Sequence, residues 1–131
     1  MPRPAFQPGF RLTFVDVLVL LVGAGAAAVL WQRSMWLGVG VAFVVGHFFL
    51  FCNVFRISRA LELSWASVFV LLASITGTTG WPGWGWTFAG SVIATVVVVS
   101  AELGKQSYHG MGWQRVNPRL PAWWESQRTD E

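Results

Sequence analysis

Charge is scarce in this sequence. Only 11% of its 131 residues are Asp, Glu, Lys or Arg. A soluble domain carries about 25%. So few charges cannot cover a water-facing surface, and an ordinary soluble domain is excluded. Cysteine is scarcer still. The single Cys52 cannot close an internal disulfide and offers no CxxC or Cys/His spacing for a metal. It reads as a small packing residue. No nucleotide-binding loop, Ser/His/Asp set, paired catalytic carboxylates or zinc signature is present. The sequence therefore names no catalytic residue and no metal ligand, and a non-enzymatic protein is expected.

What the chain has instead is apolar and aromatic bulk. Hydrophobic residues make up 54% of it, with nine Trp and ten Phe. Trp favours the membrane–water boundary, where its ring and its N–H are both satisfied. An all-α integral membrane protein is expected, a bundle of four transmembrane helices.

The charges divide the chain into spans. Sixteen uncharged residues separate Asp16 from Arg33, 22 separate Arg33 from Arg56, and 39 separate Glu62 from Glu102. A bilayer core takes about 20 helical residues. A 39-residue helix would be roughly 58 Å long, so the third run must fold back. Residues 77–86 read GTTGWPGWGW, a helix-breaking turn. The expected spans are about 12–31, 36–55, 64–79 and 87–103. They follow a short N-terminal segment, 1–11, and precede a Trp/Arg-rich tail, 104–131.

The basic residues give a direction. With the N-terminus inside, the inner segments hold Arg3, Arg11, Arg56, Arg59, Lys105, Arg115, Arg119 and Arg128, and the outer segments hold only Arg33. This partition predicts cytoplasmic N- and C-termini in a bacterial inner membrane. It also argues against dual topology. Residues 1–28 share the layout of a signal peptide. Cleavage would leave three spans, but Asp16 early in the apolar run disfavours it.

Small residues four apart predict close helix packing. They are Gly23 and Ala27 in the first span, Ala42 and Gly46 in the second, and Gly90 and Ala94 in the fourth, with Ser91 and Thr95 beside the last pair. On the second span Ala42, Gly46, Phe49, Asn53 and Arg56 follow helical spacing. They predict one inward face, with Asn53 bonding to a neighbouring helix. The same small residues would serve an oligomer interface.

His47 lies near the expected bilayer midplane, where an ionisable group is a functional candidate. Three roles fit it. It could ligate a haem or pigment between Phe43 and Phe51, pass protons or substrate, or sit neutral on a hydrogen bond to a backbone or helix. Bis-histidine haem is excluded within one chain, because His109 lies beyond the fourth span. Asp16, Glu62 and Glu102 share one level with Arg11, Arg56, Arg59 and Lys105. They read as interfacial ion pairs, or as the vestibule of a small oligomeric transporter or channel that uses His47 or Asp16. The hydroxyls of Ser74, Thr76, Thr78 and Thr79 are expected to bond preceding backbone carbonyls.

Trp81, Trp84 and Trp86 are expected as interface anchors on the outer side. Trp113, Trp123 and Trp124, interleaved with Arg115, Arg119 and Arg128, are expected to anchor the tail at the cytoplasmic face. The expected partners are anionic lipid headgroups there, together with further copies or subunits of a membrane complex. Nucleic acid is not expected.

Overall fold

The computed structural model describes residues 5–130. Arg3, counted in the charge partition, and Glu131 lie outside them. The helices are α1 (Phe14–Arg33), α2 (Met35–Phe49), α3 (Arg59–Thr79), α4 (Trp84–Leu103), α5 (Trp113–Val116) and α6 (Leu120–Thr129). A π-helical turn, Leu50–Val54, continues α2. No strand occurs among the described residues. Four helices are long and apolar enough to cross a membrane: Phe14–Arg33, Met35–Val54, Arg59–Thr79 and Trp84–Leu103.

The chain forms two compact units. The first comprises residues 1–56 and 109–113, and the second residues 57–108 and 114–131.

The first unit is built on the α1–α2 hairpin. Thr13 caps α1: its hydroxyl accepts the Asp16 N–H at 3.3 Å, and the Asp16 carboxylate accepts the Thr13 N–H at 2.8 Å. This reciprocal box satisfies two amides that the helix start would leave open. An acid in the first turn also suits the helix dipole. The connection to α2 is the single residue Ser34, whose N–H still bonds Leu30 O. So tight a reversal brings the backbones together at Gly38, where a Cβ would lie 2.8 Å from both Ala27 O and the Trp31 Cα. At Gly23 a Cβ would meet the Val45 side chain at 2.7 Å.

The inward face expected on the second span is not continuous. Ala42 and Gly46 are not buried, and a Cβ on Gly46 would meet nothing within 4 Å. Asn53 is buried. The π-helical turn is the reason. The Phe55 N–H bonds Leu50 O, five residues back, so the helix takes an extra residue in that turn. Such a turn shifts the side-chain phase. Spacing counted as uniform α-helix then links two different faces.

The second unit holds the α3–α4 hairpin. Gly80 ends α3 in the left-handed conformation, with φ 76°, and its N–H bonds Thr76 O at 2.9 Å. That geometry suits glycine. The helices bracket a turn at 80–83, inside the run where the break was expected. α3 begins at Arg59, about one turn before the expected start, and α4 begins at Trp84, three residues before it.

A polar seam lies inside this hairpin. Thr76 Oγ1 and Thr87 Oγ1 are 2.7 Å apart. The Trp65 indole N–H donates to Ser91 O at 3.1 Å and Thr95 Oγ1 at 2.9 Å. Thr76, Thr87 and Ser91 are all buried. Polar groups enclosed in this way need partners, and each side of the seam supplies the other. Trp65 also stacks on Phe69, with ring centroids 5.6 Å apart.

Candidate functional site

The most heavily bonded part of the first unit lies where α1 starts and α2 ends. Asn53 is its centre, at 1% exposure. Its Nδ2 donates to Arg11 O and, at 2.9 Å, to Asp16 Oδ2. Its backbone carbonyl accepts the Arg11 N–H at 3.2 Å. Asp16 Oδ2 also accepts the Thr13 hydroxyl at 2.6 Å. Both acceptors of Nδ2 are oxygens, which fixes the orientation of the amide. The Asn53 Oδ1 is buried with no partner among the described residues.

Residues 109–113 complete this region. The Met111 N–H donates to Val54 O and the Gly9 N–H to His109 O, both at 2.7 Å. Gly110 is pressed against Phe55, where a Cβ would lie 2.7 Å from the Phe55 carbonyl carbon and 2.8 Å from its Cα. The Phe6 and Trp113 rings meet edge-on at 6.2 Å. Arg56 has φ 50° and donates to Gln7 O. Burial, and then the like charge of Arg11, hold its guanidinium below the usual arginine value.

The expected level of charges resolves into separate local arrangements. In the first unit the Asp16 carboxylate caps α1 and holds Asn53. In the second, Glu102 is buried and pairs with Lys105 at 3.0 Å. The Ser58 N–H donates to Glu102 Oε2 at 3.4 Å, and Lys105 Nζ donates to Ser58 Oγ at 3.0 Å. Arg59 and Glu62 stand 3.9 Å apart, with the arginine side chain 80% exposed. A pair that open to water contributes little.

Tyr108 is fully buried. Burial, and then the Glu102 charge, push its phenol pKa up. The folded chain therefore keeps this proton to higher pH than the unfolded chain does. Stability is complete below the unfolded tyrosine value of about 10. It falls as pH rises through that value toward the folded one. Tyr108→Phe is expected to flatten this alkaline limb in a pH series of thermal unfolding. An unchanged limb would remove Tyr108 as its source.

His47 lies one turn before the π-helical segment. Its Nδ1 is 2.9 Å from Phe43 O, one helical turn back on the same helix. A carbonyl only accepts, so Nδ1 is the donor in this bond. The ring centroids of Phe43 and Phe51 lie 4.2 and 5.6 Å from that of His47. Among the described residues no group of three or more His, Cys, Asp or Glu could hold a metal ion.

Comparison with protein-family models, curated proteins and solved structures found no match.

The remaining candidates fall as follows. Ala27 is half-buried and borders an apolar groove with Trp31, Gly38 and Ala42. Gly90 and Ala94 are half-buried, and a Cβ on Gly90 would meet Leu72 at 3.1 Å. Trp81 and Trp86 are each 73% exposed, while Trp84 contacts Phe88 with ring centroids 6.1 Å apart. Trp123 and Trp124 are half-buried neighbours. Thr78 and Thr79 bond carbonyls of the preceding turn, whereas Thr76 bonds across to α4.

Sequence reasoning missed Thr13, Trp65 and Thr87. The first had a readable signal, a Thr-x-x-Asp run just ahead of an apolar stretch. Trp65 had a weaker one, an indole placed inside a run rather than in the loop cluster.

Proposed function

We propose that this chain is a multi-pass protein of a bacterial inner membrane, with both ends cytoplasmic. Its role is that of a non-enzymatic subunit that oligomerises or joins a larger membrane complex. The observation that carries the reading is the apolar exterior of the four long helices. Leu21, Val22 and Val29 on α1, Val70 and Leu71 on α3, and Ile93, Val96 and Val97 on α4 are all 60% exposed or more. Water would not tolerate such faces, whereas lipid tails or partner helices would cover them. Thr76, Thr87 and the Trp65 indole bond across the second hairpin, and the exposed hydroxyls of Ser64, Ser67, Thr78 and Thr79 bond carbonyls of their own helix, as suits a lipid environment. The eight-to-one charge partition supports the direction.

Reporters inserted near Gly83 and fused at the C-terminus are expected to read as external and cytoplasmic, respectively. Blue-native electrophoresis after mild extraction is expected to give a species larger than one chain. A lone, stable monomer would overturn the subunit role.

A second reading rests on the orientation of His47. A ring held through Nδ1 and turned by a backbone carbonyl has the hydrogen-bonded support typical of a metal-ligating histidine. The flanking Phe43 and Phe51 rings suit a flat haem or pigment. A visible absorption band in the purified protein, lost in His47→Ala, is the expected result on this reading. A colourless preparation made with cofactor supplied would remove it.

A further inference from the structure

The tail contains a cavity of about 530 Å³, bordered by Gln106, Asn117, Arg119, Trp123 and Ser126, with Val116, Pro118 and Ala122 as its apolar wall. This is within the size range of small-molecule sites. Arg119 and Trp123 are four residues apart, so they share one side of the α6 start. Asn117 fixes the approach to that helix, its Nδ2 donating to Gln106 O at 2.7 Å and Tyr108 O at 3.0 Å. Leu120 anchors it as a fully buried side chain.

The Arg119 guanidinium, the Trp123 indole N–H and the Gln106 side-chain amide make no hydrogen bond or ion pair among the described residues. The Glu125 carboxylate of the same helix is engaged by Arg128 at 3.3 Å. Gln106 lies three residues beyond Leu103, the last residue of α4. On the membrane reading above, which this inference requires, that puts the cavity at headgroup level.

We infer that this cavity binds the headgroup of an anionic phospholipid. The phosphodiester accepts from Arg119 and Trp123, and the glycerol oxygens meet Gln106. Arginine presents a planar fork matched to phosphate oxygens. The apolar wall takes the first carbons of the lipid.

The test uses the full chain in mild detergent, titrated with phosphatidylglycerol and read by native mass spectrometry. Phosphatidylglycerol is expected to be retained in preference to phosphatidylcholine. Arg119→Gln is expected to weaken retention about fivefold or more, given roughly 1 kcal/mol for each basic residue at an anionic surface. Arg119→Lys keeps the charge, loses the fork and is expected to fall between. Arg115→Gln removes a charge of the same tail that does not border the cavity, and is expected to have little effect.

Equal losses for Arg115→Gln and Arg119→Gln would reduce the effect to diffuse surface charge and overturn the site. So would equal retention of the two lipids. Inorganic phosphate that displaces the lipid at equal concentration would make the ligand a free anion. A poly-glutamate peptide that displaces it would make the cavity a protein-docking surface. Either result overturns the proposal. Failure of the membrane reading is distinguishable, because the chain would then remain dispersed without detergent.

Discussion

Replacing Asn53 by Asp is expected to open the region where α1 begins and α2 ends. The new carboxylate would take the place of Nδ2, which now donates to Asp16 Oδ2 at 2.9 Å and to Arg11 O. Two attractive contacts become two repulsive ones, at a position with 1% exposure. The expected loss is of the order of 3–5 kcal/mol, the range for a buried charge left uncompensated. Asn53→Leu has the same branching and no charge. It leaves Arg11 O without its side-chain donor, and a loss of about 1–3 kcal/mol is expected. The order of thermal stability in detergent should be wild type, then Leu, then Asp. Adding Asp16→Asn to Asn53→Asp should restore part of the loss, because the amide introduced at position 16 can then donate to the new carboxylate. Recovery stays incomplete, since Arg11 O still faces an oxygen and an amide nitrogen in place of Oδ2 no longer accepts the Thr13 N–H. An Asn53→Asp protein as stable as wild type would show that these bonds hold nothing together.

The second large effect is expected at Gly110. An added methyl would lie within 3 Å of the Phe55 backbone. Backbone cannot turn aside as a side chain can, so residues 109–113 must move. Their movement breaks the Met111 to Val54 and Gly9 to His109 hydrogen bonds. Forced repacking of this kind costs about 1–3 kcal/mol, and each lost hydrogen bond about 0.5–1.5 kcal/mol more. Gly110→Ala should therefore release the Met111 and Gly9 amides to hydrogen exchange and expose residues 104–112 to protease. Gly46→Ala is the matched control, since a Cβ there meets nothing within 4 Å. Protection unchanged in Gly110→Ala would mean that the docked segment does not depend on this close approach.

Four long apolar helices are legible because charge is so sparse that each charged residue marks a boundary. The 39-residue run between Glu62 and Glu102 can only be a hairpin, and its glycine-rich turn stands in plain view. The π-helical turn is not legible. Nothing in LFCNV announces an extra residue per turn, and without it Ala42, Gly46 and Asn53 count as one face. Asp16 draws attention by its charge, yet its geometry is that of a capping residue, which the preceding Thr13 already signals. The docking of residues 109–113 has no readable sign. Its hydrogen bonds to Gly9 and Val54 run between backbone groups, which every residue carries, and the tightness at Gly110 is a matter of backbone approach. The seam in the second hairpin is half legible. Ser91 and Thr95 stand out as small residues, but their partner Trp65 resembles one more aromatic in an apolar run.

The first unit takes its final segment from far along the chain, and this bears on the order of synthesis. Val54 and Met111, joined by a backbone hydrogen bond, leave the ribosome 57 residues apart. At about 5–20 residues per second that delay is roughly 3–11 s. Throughout it α1 and α2 exist without the segment that closes over Phe55, while α3 and α4 are still being made. The earliest-made helices are thus among the last to be finished, and a chain released before residue 113 would leave that end of them open.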